Sequence, residues 1–247
     1  MKKVIAINGS PRRNGNTAEL LQQALKGAQE AGAETELINL YRLNFKGCIS
    51  CFYCKRKDKA HGTCAMKDDL TPVIERIKEA DALIMGVPVY FMNLSSGMSA
   101  FIERLLFSNY IYSNEIPTVF PKSLPNAFIY TMNMTEEHVK QFGMREKFAV
   151  HEGFASKILQ AETKTLYAYN TTQFSDYAKY ESSIVFTGLL HVTFTCSGPF
   201  FVHFYCQPKD EYRLTIVNRR SIVLTVMIWK GVMMMQKYTQ SNGRYRQ

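Results

Sequence analysis

The sequence predicts an α/β fold: a doubly wound parallel sheet of five strands with helices on both faces, followed by an atypical C-terminal tail. Three observations predict it. Short continuous apolar runs such as Val4-Ile5-Ala6-Ile7 read as strands buried on both faces. Between them lie segments with apolar residues at helical spacing, bounded by caps and glycines. The two kinds of segment alternate along the chain, which is the pattern of successive right-handed crossovers.

The first strand ends in Asn8-Gly9-Ser10, and Leu20, Leu21, Ala24, Leu25 and Ala28 then recur at helical spacing before Gly32. Thr35 to Leu40 reads as a second strand, half polar and so near a sheet edge. Thr71-Pro72 is expected to open the next helix as cap and first helical residue, with Val73, Ile74 and Ile77 on its apolar face. Ala82-Leu83-Ile84-Met85-Gly86-Val87 is a third buried strand, and Met98, Phe101, Ile102, Leu105 and Leu106 stripe a third helix. Ala127-Phe128-Ile129-Tyr130 is the fourth strand. Thr135-Glu136-Glu137 opens a fourth helical region with a cap and two acids in its positive first turn. Lys164 to Tyr169 is the fifth strand.

The chain has 247 residues, 46% of them apolar, which suffices for one sizeable core. The expected organisation is one domain over 1–180 with a cysteine-rich insertion at 46–68, then an extension over 181–247 of irregular or β-forming character. From Ser182 to Gln207 the tail carries no charged residue, yet Gly188, Gly198, Pro199, His191 and His203 dilute it too much for a membrane span. The net charge of +9 belongs largely to this tail and forms no compact basic arm, so neither nucleic acid nor membrane is expected as a partner. The apolar run after Met1-Lys2-Lys3 is too short for a signal-peptide core, and the expected location is cytoplasmic.

A phosphate monoester carries about two charges and needs backbone N–H groups and hydroxyls converging at a positive helix end. The Gly9–Thr17 stretch offers Ser10, Asn14, Asn16 and Thr17 between a buried strand and an amphipathic helix, with Gly9 and Gly15 permitting close approach. It is neither a Walker A loop nor a G-x-G-x-x-G fingerprint. An ordinary polar strand-to-helix turn is the alternative.

Gly9-Ser10-Pro11-Arg12 with Asn14-Gly15-Asn16-Thr17 resembles the phosphate loop of the NADPH-dependent FMN reductases, a superfamily of flavodoxin-like fold. Gly86-Val87-Pro88-Val89-Tyr90-Phe91, Ser95-Ser96-Gly97-Met98 and Phe101-Ile102-Glu103-Arg104 resemble its second flavin loop and the helix after it. Thr131-Met132-Asn133 stands where the third flavin loop belongs. The resemblance covers roughly Lys2 to Tyr180 and includes Leu166–Tyr169 and Gln173–Tyr177. It implies Ser10, Arg12, Asn14, Asn16 and Thr17 around the phosphate and ribityl of FMN. It also implies Pro88, Val89, Tyr90, Phe91, Met92 and Asn93 along the isoalloxazine, with Thr131, Met132 and Asn133 at its polar edge. Met92-Asn93 departs from the small residues many relatives carry there.

Cys48-x2-Cys51-x2-Cys54-x9-Cys64 lets several thiolates converge, as in iron–sulfur ligation. It resembles the motif of the iron–sulfur flavoproteins, a branch of the same superfamily with a 4Fe-4S cluster near FMN, although its last gap is longer. A closed zinc site and a cysteine-rich loop that binds nothing are the other readings. Lys55, Arg56, Lys57 and Lys59 read either as screening for a negative cluster or as a solvated loop.

The implied function is an FMN-dependent oxidoreductase, taking electrons from NAD(P)H or a ferredoxin-like protein donor and passing them to an acceptor. The resemblance also implies a homo-oligomer. No residue is nominated as catalytic. Two other functions compete: an FMN and iron–sulfur electron carrier without turnover, and a flavin-binding module that senses redox state through its cysteines.

Overall fold

The computed structural model describes residues 1–59, 61–113, 115, 117–174 and 179–180, together with the backbone of five strands between 191 and 239. The elements are β1 (Lys3–Asn8), α1 (Asn16–Glu30), β2 (Glu34–Asn39), α2 (Leu70–Glu79), β3 (Ala82–Tyr90), β4 (Asn93–Leu94) and α3 (Ser96–Ile102). A turn of π-helix, Glu103–Phe107, prolongs α3. There follow β5 (Asn126–Thr131), α4 (Glu136–Gln141), α5 (Met144–Ile158) and β6 (Thr163–Tyr169). Strands β2-β1-β3-β5-β6 pair in parallel in that order, the flavodoxin-like arrangement. All five expected strands are present.

Two antiparallel strands, β7 (His191–Thr195) and β8 (Phe201–Tyr205), extend this sheet beyond β6. In addition β9 (Tyr212–Val217), β10 (Ile222–Trp229) and β11 (Val232–Thr239) form an antiparallel sheet of their own. The tail is therefore β-forming where its backbone is described. The expected boundary between 180 and 181 adjoins residues outside the described set, as do Ser175–Tyr177, Cys196 and Cys206. Among the described residues no helix is long and apolar enough to cross a membrane.

Alternation along β1 shows why the sheet is covered twice. Ile5 and Ile7 join the cluster beneath α2, α3 and α5, whereas Ala6 joins Leu21 and Leu25 of α1 on the opposite face. Gly86 lets α1 settle directly on β3, since a Cβ there would lie 2.6 Å from Leu21 Cδ1 and 2.7 Å from Thr17 Cγ2. Beneath α5, Tyr130 stacks on Phe148 at 4.4 Å and on Tyr167 at 5.2 Å between ring centroids, and Phe128 and Tyr169 continue the ladder.

One local expectation is corrected. Helix α2 begins at Leu70 rather than Pro72, because the Asp68 carboxylate accepts the Leu70 N–H at 3.2 Å while the Thr71 hydroxyl donates instead to the Met66 carbonyl. Pro72 is tolerated within the first turn, where its missing N–H breaks no helical bond. Thr135 caps α4 as expected, its Oγ1 accepting from His138 N at 3.3 Å; α4 ends at Gln141, and Gly143 in the left-handed region leads into α5 as a second helix of this region.

Candidate functional site

The loop after β1 is built around Asn8, whose side chain donates to Asn39 Oδ1 and accepts from Ser10 N at 3.0 Å. Gly9 N donates to the Gly86 carbonyl, and a Cβ at Gly9 would sit 2.8 Å from Met98 Cε, so glycine is required by the close approach of three elements. The buried Ser10 hydroxyl accepts Arg12 N at 3.1 Å. Thr17, in the first turn of α1, shares a hydrogen bond of 2.7 Å with Thr131 at the end of β5.

The carboxyl ends of β1, β3, β5 and β6 meet here. Ser10, Arg12, Asn16 and Thr17 line one small cavity of about 50 Å³ with Pro88, Val89, Tyr90, Thr131, Met132 and Asn133. Thr171, Thr172 and Gln173 complete it. This fourth loop carried a signal in its position after the last parallel strand, but the sequence reading assigned it no site role. Asn16 Nδ2 donates to the Thr172 carbonyl at 2.8 Å and Arg12 Nη1 to the Gln173 carbonyl at 2.5 Å, which straps that loop across the mouth. Outside the strap a cleft of about 610 Å³ runs past Asn14, Glu19, Phe174 and Tyr180. The Asn133 Oδ1 is buried without a hydrogen-bond partner, an acceptor awaiting a donor.

Phe91, Met92 and Asn93 stand apart from the inner cavity. They form the tip of a β3–β4 hairpin in which Tyr90 pairs with Asn93, and Phe91 and Met92 both have positive φ, 47° and 60°. Two left-handed residues are what a type I′ turn demands. Phe91 is fully exposed.

The four insertion cysteines line a second cavity of about 20 Å³, with Ile49, Phe52, Met66, Glu103, Arg104 and Phe107 among its other walls. Cys54 is buried, Cys51 exposed, and Cys48 and Cys64 lie between. Among the described residues no group of three or more His, Cys, Asp or Glu is arranged to hold a metal ion. The four thiols share this one cavity.

Helix α3 and its π turn connect the two cavities. Ser95 caps α3 while its hydroxyl donates to the Gly9 carbonyl at 2.6 Å. Glu103 accepts the Cys48 N–H at 3.2 Å. Arg104 is almost fully buried and binds both edges of the insertion, donating to the Lys46 carbonyl and to both oxygens of Asp68. Lys55 Nζ reaches the carbonyls of Phe107, Ser108 and Tyr110, where the turn ends and negative partial charge collects.

Electrostatics follow from this burial. Desolvation raises the Cys54 thiol pKa, and the charge and hydrogen bond of Lys55 only partly offset it. Desolvation likewise lowers Lys55, against the pull of Cys54 and Cys48. Burial disfavours the Arg104 charge, but the Asp68 hydrogen bond and the charges of Cys64 and Asp68 outweigh it and raise its pKa.

Residues 2–116 match the NADPH-dependent FMN reductase family. An iron–sulfur flavoprotein of Methanocaldococcus jannaschii is 41% identical over 102 residues, covering 41% of this chain and 51% of the relative. One from Archaeoglobus fulgidus is 35% identical over 104 residues, 42% of this chain and 46% of the relative. The chain spans about half the length of the curated relatives it matches. Among solved structures, an NAD(P)H:quinone oxidoreductase from Methanothermobacter marburgensis superposes with a TM-score of 0.57 at 20% identity, over 72% of this chain and 88% of the other. An azoreductase from Bacillus anthracis gives a TM-score of 0.53 at 16% identity over 72% and 92%. These structural likenesses carry the fold.

Proposed function

From the match of residues 2–116 to the NADPH-dependent FMN reductase family and their similarity to iron–sulfur flavoproteins, we propose that this chain is an FMN-dependent oxidoreductase of that branch. One observation carries the reading: the loops after β1, β3 and β5 share a single cavity at the carboxyl ends of the parallel strands. Bound FMN supplies the redox chemistry, accepting electrons from a donor and passing them on.

The residues present fit the group. Ser10 and the N-terminal amides of α1 would hold the phosphate, with Asn14, Asn16 and Arg12 around it and Thr17 oriented through Thr131. Asn16 and Arg12, which here donate to the Thr172 and Gln173 carbonyls, would be the side chains to turn toward a phosphate. Pro88, Val89 and Tyr90 form the wall for the ring, with Phe91, Met92 and Asn93 at the hairpin tip beside it. The unpartnered Asn133 Oδ1, with Thr131 and Met132, offers an acceptor to a ring N–H.

Cys48, Cys51, Cys54 and Cys64 are assigned to a 4Fe-4S cluster. An all-thiol donor set around one cavity, with Lys55 and Arg104 beside it to offset negative charge, supports that reading, and a closed four-thiolate zinc site would use the same donors. NAD(P)H or a ferredoxin-like protein is the donor, and the protein works as a cytoplasmic homo-oligomer. An electron carrier without nicotinamide turnover is the second reading, favoured by the direct contact of α3 with both loops.

The test is anaerobic purification followed by flavin, iron and sulfide assays and NADH or NADPH oxidation. Bound FMN with iron and sulfide, and nicotinamide turnover, supports the proposal. FMN and iron with reduction only by a protein donor supports the carrier reading. Absence of flavin after reconstitution rejects both.

A further inference from the structure

One side of the cysteine cavity is a helical wall, and that wall fixes a lysine beside the thiols. Glu103, Arg104, Phe107 and Ser108 all line the cavity, so the π turn Glu103–Phe107 and the residue after it form this wall. Lys55 follows Cys54 directly in the chain. Its Nζ donates to the carbonyls of Phe107, of Ser108 at 3.3 Å and of Tyr110 at 2.6 Å, and it lies 4.5 Å from the centre of the Phe107 ring. An ammonium has three N–H donors, and three carbonyls take them up. The remaining charges at the cavity have partners of their own. Arg104 is buried against both oxygens of Asp68, and the Glu103 carboxylate accepts the Cys48 N–H. Lys55 has carbonyl partners and no carboxylate partner among the described residues. One donor is left over. Arg104 Nε is buried with no hydrogen-bond partner among the described residues, in a side chain that lines the cavity. A buried N–H without an acceptor is rare, and here it suits a cavity that takes an electron-rich, sulfur-bearing occupant.

We propose that Lys55 is a positioning residue that sets the reduction potential of the iron–sulfur group assigned to the four cysteines, acting through its anchored positive charge beside Cys54. An electron entering that group adds one negative charge and makes or breaks no bond; it comes from the electron donor already proposed and leaves to the acceptor. Net charge and hydrogen bonding around the sulfurs tune such groups, and a cation held close by favours the reduced form. The three carbonyls keep the Lys55 ammonium from swinging into solvent as a surface lysine does, so its charge stays beside the cavity. Glu103, on the same wall, works in the opposite sense. The inference rests on the reading of the cysteines as cluster ligands.

The experiment is anaerobic reconstitution of the full chain with iron and sulfide, then potentiometric titration of the cluster followed by electron paramagnetic resonance at neutral pH, for wild type, Lys55→Gln, Lys55→Met and Lys55→Arg. Lys55→Gln keeps N–H donors for the carbonyls without the charge. It is expected to lower the midpoint by at least about 59 mV, a tenfold change in a one-electron equilibrium, with iron and flavin content unchanged. Lys55→Met should lower it alike, whereas Lys55→Arg keeps the charge and should stay close to wild type. A purely structural tie would let Lys55→Gln keep the wild-type midpoint. That result in an iron-loaded preparation, a fall in Lys55→Arg as large as in Lys55→Gln, or loss of iron from both Lys55→Gln and Lys55→Met overturns the inference. A wild type that takes up FMN but neither iron nor sulfide defeats the cluster reading and this inference with it, and so is told apart from a loaded protein whose midpoint ignores Lys55.

Discussion

Arg104 and Asp68, thirty-six positions apart in the chain, are joined by two hydrogen bonds, Nη1 to Oδ2 at 2.7 Å and Nη2 to Oδ1 at 3.1 Å. The same Nη1 reaches the Lys46 carbonyl at 2.9 Å, so one guanidinium closes the insertion at its base. Breaking a buried pair by removing one partner costs about 3–5 kcal/mol. Arg104→Gln is expected to expose the cysteines before it unfolds the sheet. Thiol titration should show Cys48, Cys54 and Cys64 reacting severalfold faster, with far-UV circular dichroism retained. Unchanged reactivity would show that the loop holds its shape without the clasp.

Ser10→Ala with Thr17→Val tests the inner cavity. Losing a hydrogen bond to a charged group costs about 1.5–3 kcal/mol, or roughly ten- to a hundredfold in affinity. Fluorescence titration with FMN should register that loss. Thr17 is bonded to Thr131, so part of its effect is expected to appear in Thr131→Val alone.

The hairpin tip is expected to be improvable. Phe91 and Met92 occupy left-handed backbone that costs ordinary residues about 1–2 kcal/mol each. Replacing them with Asn and Gly, the pair a type I′ turn prefers, should raise the denaturation midpoint while lowering FMN affinity if the tip packs on the ring. A lowered midpoint would mean that their side chains contribute more than the turn costs.

Two carboxylates should give opposite pH signatures. The hydrogen bonds and charge of Arg104 outweigh desolvation and hold Asp68 below the usual 3.8. Its stabilising contribution is therefore present above that value and lost as pH falls through the folded pKa. Burial raises Glu152 above 4.5, although Tyr167 donates to it at 3.1 Å. Its contribution is present below 4.5 and lost as pH rises through the folded pKa. Thermal melts of Asp68→Asn should thus converge with wild type only in strong acid, whereas Glu152→Gln should gain on wild type as pH rises from 4 to 7.

The inner strands β1, β3 and β5 were legible because each is largely buried on both faces and so reads as an apolar run, whereas β2 was read from its half-polar pattern at the sheet edge. The loop after β1 was legible as a candidate site because its polar donors are neighbours in sequence. Hidden were the features that depend on distance or on rule-breaking residues. Nothing local announces that Arg104 meets Asp68, or that Thr172 and Gln173 strap the mouth. Phe91-Met92 shows no Asn or Gly to mark its turn. Helix α5 was masked because Val150 and Phe154 are exposed, which blurs its apolar stripe.

The stacked ladder of Phe128, Tyr130, Phe148, Tyr167 and Tyr169 bears on how this protein can be watched. Its one tryptophan, Trp229, belongs to the tail strand β10, so indole fluorescence reports on the wrong part of the chain. Rings fixed in one chiral array beneath α5 should instead give a near-ultraviolet dichroic band from tyrosine. That band reads the integrity of the sheet under the loops after β1, β3 and β5, and its loss at a different denaturant concentration from the indole signal would mark tail and sheet as separate cooperative units.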